Sequence, residues 1–164
     1  AERLMSLCEE VLADAGGSFA ALTALGVGIG PGNFTGIRIA VSAARGLALG
    51  LGVPAVGVSA FEALRFGTQG PCAMAVDARR DQVFLQVFDV EELQDPVLCD
   101  LAALPAFEGP LIGAGGAAPK VPTAVAIAEI AALRFADNPP RPAPLYLKAP
   151  DAAPARDRGP AILP

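Results

Sequence analysis

The segment richest in chemistry is Gly28-Ile-Gly-Pro-Gly-Asn-Phe-Thr-Gly-Ile-Arg38. A continuous apolar run precedes it and a stretch of small residues follows, so it reads as a strand–loop–helix turn. Phosphate-holding loops sit in such places, because the first N–H groups of a helix have no partner within it and point at an anion. Known phosphate patterns do not fit. Gly-x-Gly-x-x-Gly would need a glycine at Asn33 or Thr35, and the P-loop needs a Gly-Lys-Ser/Thr that occurs nowhere. Two readings stay open: an anion cradle, or a glycine turn that lets the helix pack tightly on a sheet. Arg38 falls in the first turn of that helix, where the macrodipole disfavours a cation by about 0.3–1 kcal/mol. Something negative is expected beside it, either a carboxylate of this chain or an anion carried by a partner.

The chain has no histidine, which removes the commonest general base and the commonest metal ligand. A Ser–His or Cys–His hydrolase is excluded, and no convincing Ser/Lys dyad supports a peptidase. Asp77-Ala-Arg-Arg-Asp81 sets two carboxylates beside two arginines, but nothing in the sequence fixes their separation. A polar hairpin turn accounts for the same residues, with Asp77 and Arg79 structural or partner-contacting. Cys8, Cys72 and Cys99 are widely spaced and odd in number. They read as small buried hydrophobes in a reducing cytosol, not as a disulfide framework or metal site. A net charge of −5 offers no footprint for phosphate backbones, so any RNA in this protein's work is expected on another subunit.

These residues need a frame. At 164 residues and 53% hydrophobic, the chain can build one domain or two small lobes with a sizeable core. Leu4, Cys8, Val11, Leu12 and Ala15 recur at helical spacing, with Met5 widening the stripe, so residues Glu2 to Ala15 form a helix that Gly16-Gly17 stops. Leu22 to Ile29 reads as a buried strand, about Thr35 to Gly50 as a helix of small residues, and Val53 to Val58 as another strand. Ser59-Ala-Phe-Glu62 is a capping box that opens a short helix. Cys72 to Val76 and Val83 to Val90 read as a hairpin around the polar turn. Leu111 to Gly113 is a short strand, Val121 to Phe135 an apolar helix, and the Pro-rich remainder from Asp137 is extended. Strands alternating with helices, then a hairpin, indicate an α/β fold. The apolar run from Ile37 to Phe61 is broken by Arg38, Arg45 and Pro54, short of the roughly 20 uninterrupted apolar residues of a membrane span. The chain begins in a helix without an initiator Met, and a strand as apolar as Leu22 to Ile29 wants neighbours on both edges. Further N-terminal sequence is therefore expected.

The loop segment through Ile39, followed by Ala43-Ala-Arg-Gly-Leu-Ala48, resembles the signature of the TsaB (YeaZ) family. Val53-Pro-Ala-Val-Gly-Val-Ser59, Val76-Asp-Ala-Arg79 and Tyr146-Leu-Lys148 fit the same pattern in the same order, so the resemblance spans about Glu2 to Ala152. It implies an α/β fold of actin-like, sugar-kinase-like (ASKHA, ribonuclease H-like) lobes, here with an incomplete N-terminal lobe. Residues 1–67 would be that lobe and residues 68–164 a C-terminal lobe with the Pro-rich tail. Asn33 stands where the family usually has Ser, and either can cap a helix. The resemblance implies a non-catalytic cytoplasmic subunit that supports the enzyme TsaD in forming threonylcarbamoyladenosine beside the tRNA anticodon. TsaE, a small ATPase, would join the assembly. ATP or ADP and a divalent metal would belong to those partners, tRNA would be touched only indirectly, and no membrane is involved. Self-association through the same helices is a further implication.

Two helices apolar on more than one side are either core or interface, and the residues alone leave both open. With the resemblance, the expected interface is Leu4, Met5, Cys8, Val11 and Leu12 on the first helix with Arg38, Val41, Ala44, Arg45 and Ala48 on the second. The loop motif is Gly28, Gly30, Pro31, Gly32, Asn33, Phe34, Thr35 and Gly36. The alternative is a phosphotransferase of the sugar-kinase type that holds nucleotide phosphates on this loop. It would need acidic Mg²⁺ anchors, and no acidic pair is evident near the loop.

Overall fold

A computed structural model describes residues 3–89 and 94–147. Glu2, Val90, Lys148 and the Pro-rich residues after it lie outside the described residues. The order is α1 (Leu4–Asp14), β1 (Leu25–Gly30), α2 (Phe34–Leu51), β2 (Ala55–Ser59), α3 (Ala60–Arg65), β3 (Cys72–Arg79), β4 (Gln82–Phe88), β5 (Val97–Asp100), β6 (Leu111–Gly113) and α4 (Thr123–Arg134). Each boundary has a local cause. Gly16, at φ +71°, follows α1, and Gly52 closes α2 in the left-handed conformation that glycine adopts without steric cost. Both halves of the Ser59–Glu62 capping box are formed.

The strands make two sheets. β1 and β2 pair in parallel, Leu25 opposite Ala55 through Gly28 opposite Val58. The second sheet has the order β5-β4-β3-β6. There β3 pairs antiparallel with β4 and β5 follows on β4, while β6 lies parallel to β3. The hairpin strands run further than the sequence suggests. β3 continues to Arg79, and the turn is Arg80-Asp81. β5 was not anticipated: it is an edge strand of four residues with Val97 and Leu98 exposed, so it lacks the alternation that marks a half-buried strand.

Two helices sandwich the first sheet. α2 packs on β1, and α4 packs against Val56 and Val58 through Ala126, Ile130 and Ala131. Glycine at position 26 permits this approach: a Cβ there would stand 2.9 Å from the Ala131 Cβ and 3.0 Å from the Ile127 carbonyl. A division at residue 67 therefore separates the two sheets but not two self-contained lobes, because α4 returns from the second half to cover the first sheet. On the second sheet, Phe61 of α3 joins Cys72, Met74, Phe84 and Ile112 on one face. The other face, with Ala73, Ala75, Val83, Leu85 and Val87, is covered by Leu101, Leu104 and Phe107 from an irregular segment.

Glu62 ties α3 to α4. One carboxylate oxygen accepts the Ser59 backbone N–H at 2.8 Å, and the other takes the Arg134 guanidinium at 2.6 Å. Burial alone would raise its pKa, but the Ser59 bonds and Arg134 outweigh it and hold the carboxyl below its ordinary 4.5. The folded state thus favours the ionised form. This contribution is complete above pH 4.5 and is lost as pH falls through the lower folded value. We expect the melting-temperature gap between the unaltered chain and Glu62→Gln to be constant from pH 7 to pH 5 and to narrow as pH falls below 4.5. A gap that does not narrow with falling pH would assign the effect to packing instead.

Candidate functional site

The glycine motif divides on inspection. Gly28 belongs to β1 and faces Ile127 of α4. Gly30 ends β1, Pro31 to Asn33 form the loop, and Phe34 to Gly36 are the first turn of α2. The Gly30–Pro31 bond is cis. Gly30 has φ +100°, and a Cβ there would stand 2.7 Å from the Ile37 Cδ1 and 3.3 Å from the Leu145 carbonyl. Glycine here lets the helix and the residues after α4 close on the turn, so a packing role is visible. The Asn33 carboxamide oxygen accepts the Gly36 N–H at 2.8 Å, an N-cap. Asn33→Ala should cost about 0.5–2 kcal/mol and lower the melting temperature by a few degrees, with Asn33→Ser close to neutral; equal melting of all three would show that this cap contributes nothing.

Arg38 does not find a carboxylate. No acidic group among the described residues pairs with it; its guanidinium lies 5.1 Å from the centroid of the Phe34 ring. The hairpin tip is spent on its own geometry. Asp77 accepts the Arg79 N–H at 3.2 Å, and Arg79, Arg80 and Asp81 all have positive φ. All three cysteines are free, with Cys72 buried and the other two half-buried. Among the described residues no three His, Cys, Asp or Glu side chains gather at metal-ligand range.

The two helices give the clearer feature. No residue of α1 is buried. Leu4, Cys8 and Leu12 are half-buried, while Met5, Leu7 and Val11 are exposed, Val11 at 60%. The first turns of α1 and α2 meet around a shallow groove of about 370 Å³, lined by Arg3, Leu4 and Leu7 on one side and Gly36, Ile39 and Ala40 on the other. Of the five α2 positions expected at an interface, Arg38 is exposed and the other four are buried or half-buried. Val41 (2% exposed) and Ala48 (7%) are buried within the chain; with half-buried Ala44 they share one stripe of the helix, and Arg45 is half-buried at its margin. Val41 and Ala48 are thus taken up by the chain's own packing. The outward stripe is Arg38, Ile39, Ser42, Gly46 and Leu49, the last 79% exposed. Ile39, Leu49 and Leu7 of α1 were missed. The period was legible, but an all-round apolar helix carries no mark of which stripe meets the sheet. By length and composition alone α2 is apolar enough to cross a membrane, despite Arg38 and Arg45. Its inner stripe is occupied by the chain's own packing.

Comparison with known proteins identifies the family. The family model for TsaD, tRNA N6-adenosine threonylcarbamoyltransferase, matches residues 1–107. An uncharacterized protein of Mycobacterium bovis is 34% identical over 167 aligned residues, covering 94% of this chain and 77% of that protein. The tRNA threonylcarbamoyladenosine biosynthesis protein TsaB of Escherichia coli is 34% identical over 96 residues, 56% of this chain and 42% of that protein. The solved structure of YeaZ from Pseudomonas aeruginosa superposes with a TM-score of 0.71 at 24% identity, covering 89% of this chain and 84% of that one. The architecture is accordingly the actin-like α/β one, and the chain belongs to the TsaD family, with TsaB and YeaZ proteins among its relatives.

Proposed function

We infer that this chain is a non-catalytic cytoplasmic subunit that binds a TsaD-type enzyme through α1 and the outer stripe of α2, in the formation of threonylcarbamoyladenosine beside the tRNA anticodon. One observation carries the reading. α1 and α2, which line one groove through Leu7 and Ile39, present Met5, Leu7, Val11, Ile39 and Leu49 to solvent, and exposed apolar surface of this kind supports an interaction site. Small residues at Ser42 and Gly46 permit a partner helix to approach closely, so two helices from each subunit can form a four-helix seam. A second copy of this chain could use the same surface. A TsaE-type ATPase joins the assembly, nucleotide and metal belong to the partners, and tRNA is held elsewhere because this chain is acidic.

The test is light-scattering size analysis of the chain, alone and mixed with a bacterial TsaD-type subunit. A one-to-one complex that Met5→Glu or Leu49→Glu abolishes supports the reading. Absence of any complex sinks it, and ATP turnover by the isolated chain would favour the sugar-kinase-type alternative.

A further inference from the structure

The residues after α4 form a strap across the molecule. Pro142 is buried beside Gly57 of β2, where a Cβ would stand 3.5 Å from its own Cβ. The Leu145 N–H donates to the Ile29 carbonyl at the end of β1, at 2.8 Å. The Tyr146 ring lies 5.1 Å from that of Phe34, tilted by 32°. Leu147 packs against the second-sheet cluster that contains Phe61, Met74 and Phe84. Phe34 thus takes two partners, Tyr146 from the strap and the Arg38 guanidinium from the next turn of α2.

Both residues keep a substantial share of their surface in water, Phe34 at 40% and Tyr146 at 49% exposed. A pair placed for burial alone would be covered. What the stack accomplishes is to order Arg38, a long side chain that has no carboxylate partner among the described residues and sits near the positive end of its helix. An arginine ordered in advance loses less rotamer freedom when it meets a planar anion. We propose that Tyr146 is a positioning residue for the partner surface: through Phe34 it holds the Arg38 guanidinium outward to meet a carboxylate of the bound subunit. This rests on the reading of α1 and α2 as the surface that binds a TsaD-type subunit.

The composition supplies a probe, since the chain has a single tyrosine and no tryptophan. Fluorotyrosine incorporated throughout gives one fluorine NMR signal, that of residue 146. In the full chain alone, Phe34→Leu should move that signal toward its position in the unfolded chain. An unmoved signal overturns the stack and leaves the partner reading standing. Calorimetric titration with a TsaD-type subunit tests the rest. Arg38→Ala and Tyr146→Ala should each weaken binding about tenfold, the double variant should be no weaker than either, and Tyr146→Phe should bind normally. Phe34→Leu should match Tyr146→Ala, which covers the case in which the latter loosens the strap as a whole. Losses that multiply in the double variant, or unaltered binding by Tyr146→Ala, overturn the positioning role alone. If the unaltered chain binds no TsaD-type subunit, both readings fall.

Discussion

Leu49→Glu and Met5→Glu chains should melt like the unaltered protein and bind a TsaD-type subunit at least about 30-fold more weakly, the loss of roughly 2 kcal/mol that a hot-spot position carries. Both side chains stand in water in the free chain, so within it the change is a surface substitution, with stability moving by about 0.5 kcal/mol at most. In a complex, the same carboxylate would be buried without a partner, which is costly for any charge. Val41→Glu is the internal contrast. That side chain is buried within the chain, so its loss of binding should arrive together with loss of folding. Calorimetric titration and thermal melting on the three variants separate the cases. Normal binding by Leu49→Glu would remove the outer stripe of α2 from the interface.

Phe61→Ala should act in the opposite way, on stability first. The ring is fully buried and joins α3 to Cys72, Met74, Phe84 and Ile112 of the second sheet. Emptying such a site costs about 3–5 kcal/mol, the lost transfer energy plus the cavity left behind. For a chain of this size that lowers the melting temperature by about 10 °C or more. Phe61→Leu, which refills part of the volume, should lose much less. Melting followed by circular dichroism decides it, and a drop of only a degree or two for Phe61→Ala would mean that the site collapses or that α3 is not coupled to the sheet.

What could be read from the sequence was local. The Ser59–Glu62 box, the Gly16-Gly17 stop, the Asn33 cap and the hairpin around Asp77 to Asp81 announce themselves within a few residues, and each stands where its chemistry puts it. What could not be read depends on distant partners. α4 is apolar on most sides, and nothing in Thr123–Arg134 says that it covers Val56 and Val58 instead of the sheet beside it in sequence. The same holds for α2. Val41 and Ile39 are equivalent as residue types, and only the placement of β1 makes one core and the other surface. For Arg38 its charge suggested a carboxylate of this chain or an anion carried by a partner; within the chain the structure offers the flat face of Phe34 one turn away. Tyr146 was visible as part of a motif, but its stacking on Phe34 joins opposite ends of the chain and leaves no local trace.

The return of α4 to the first sheet also has a bearing on synthesis. β1, α2 and β2 leave the ribosome early, yet the face bearing Val56 and Val58 finds its cover only when residue 134 has emerged. At about 5–20 residues per second, that apolar face waits for several seconds with only Ala63 and Phe66 against it. In this interval the nascent chain is open to aggregation and to chaperone capture, and a truncation ahead of α4 makes the interval permanent.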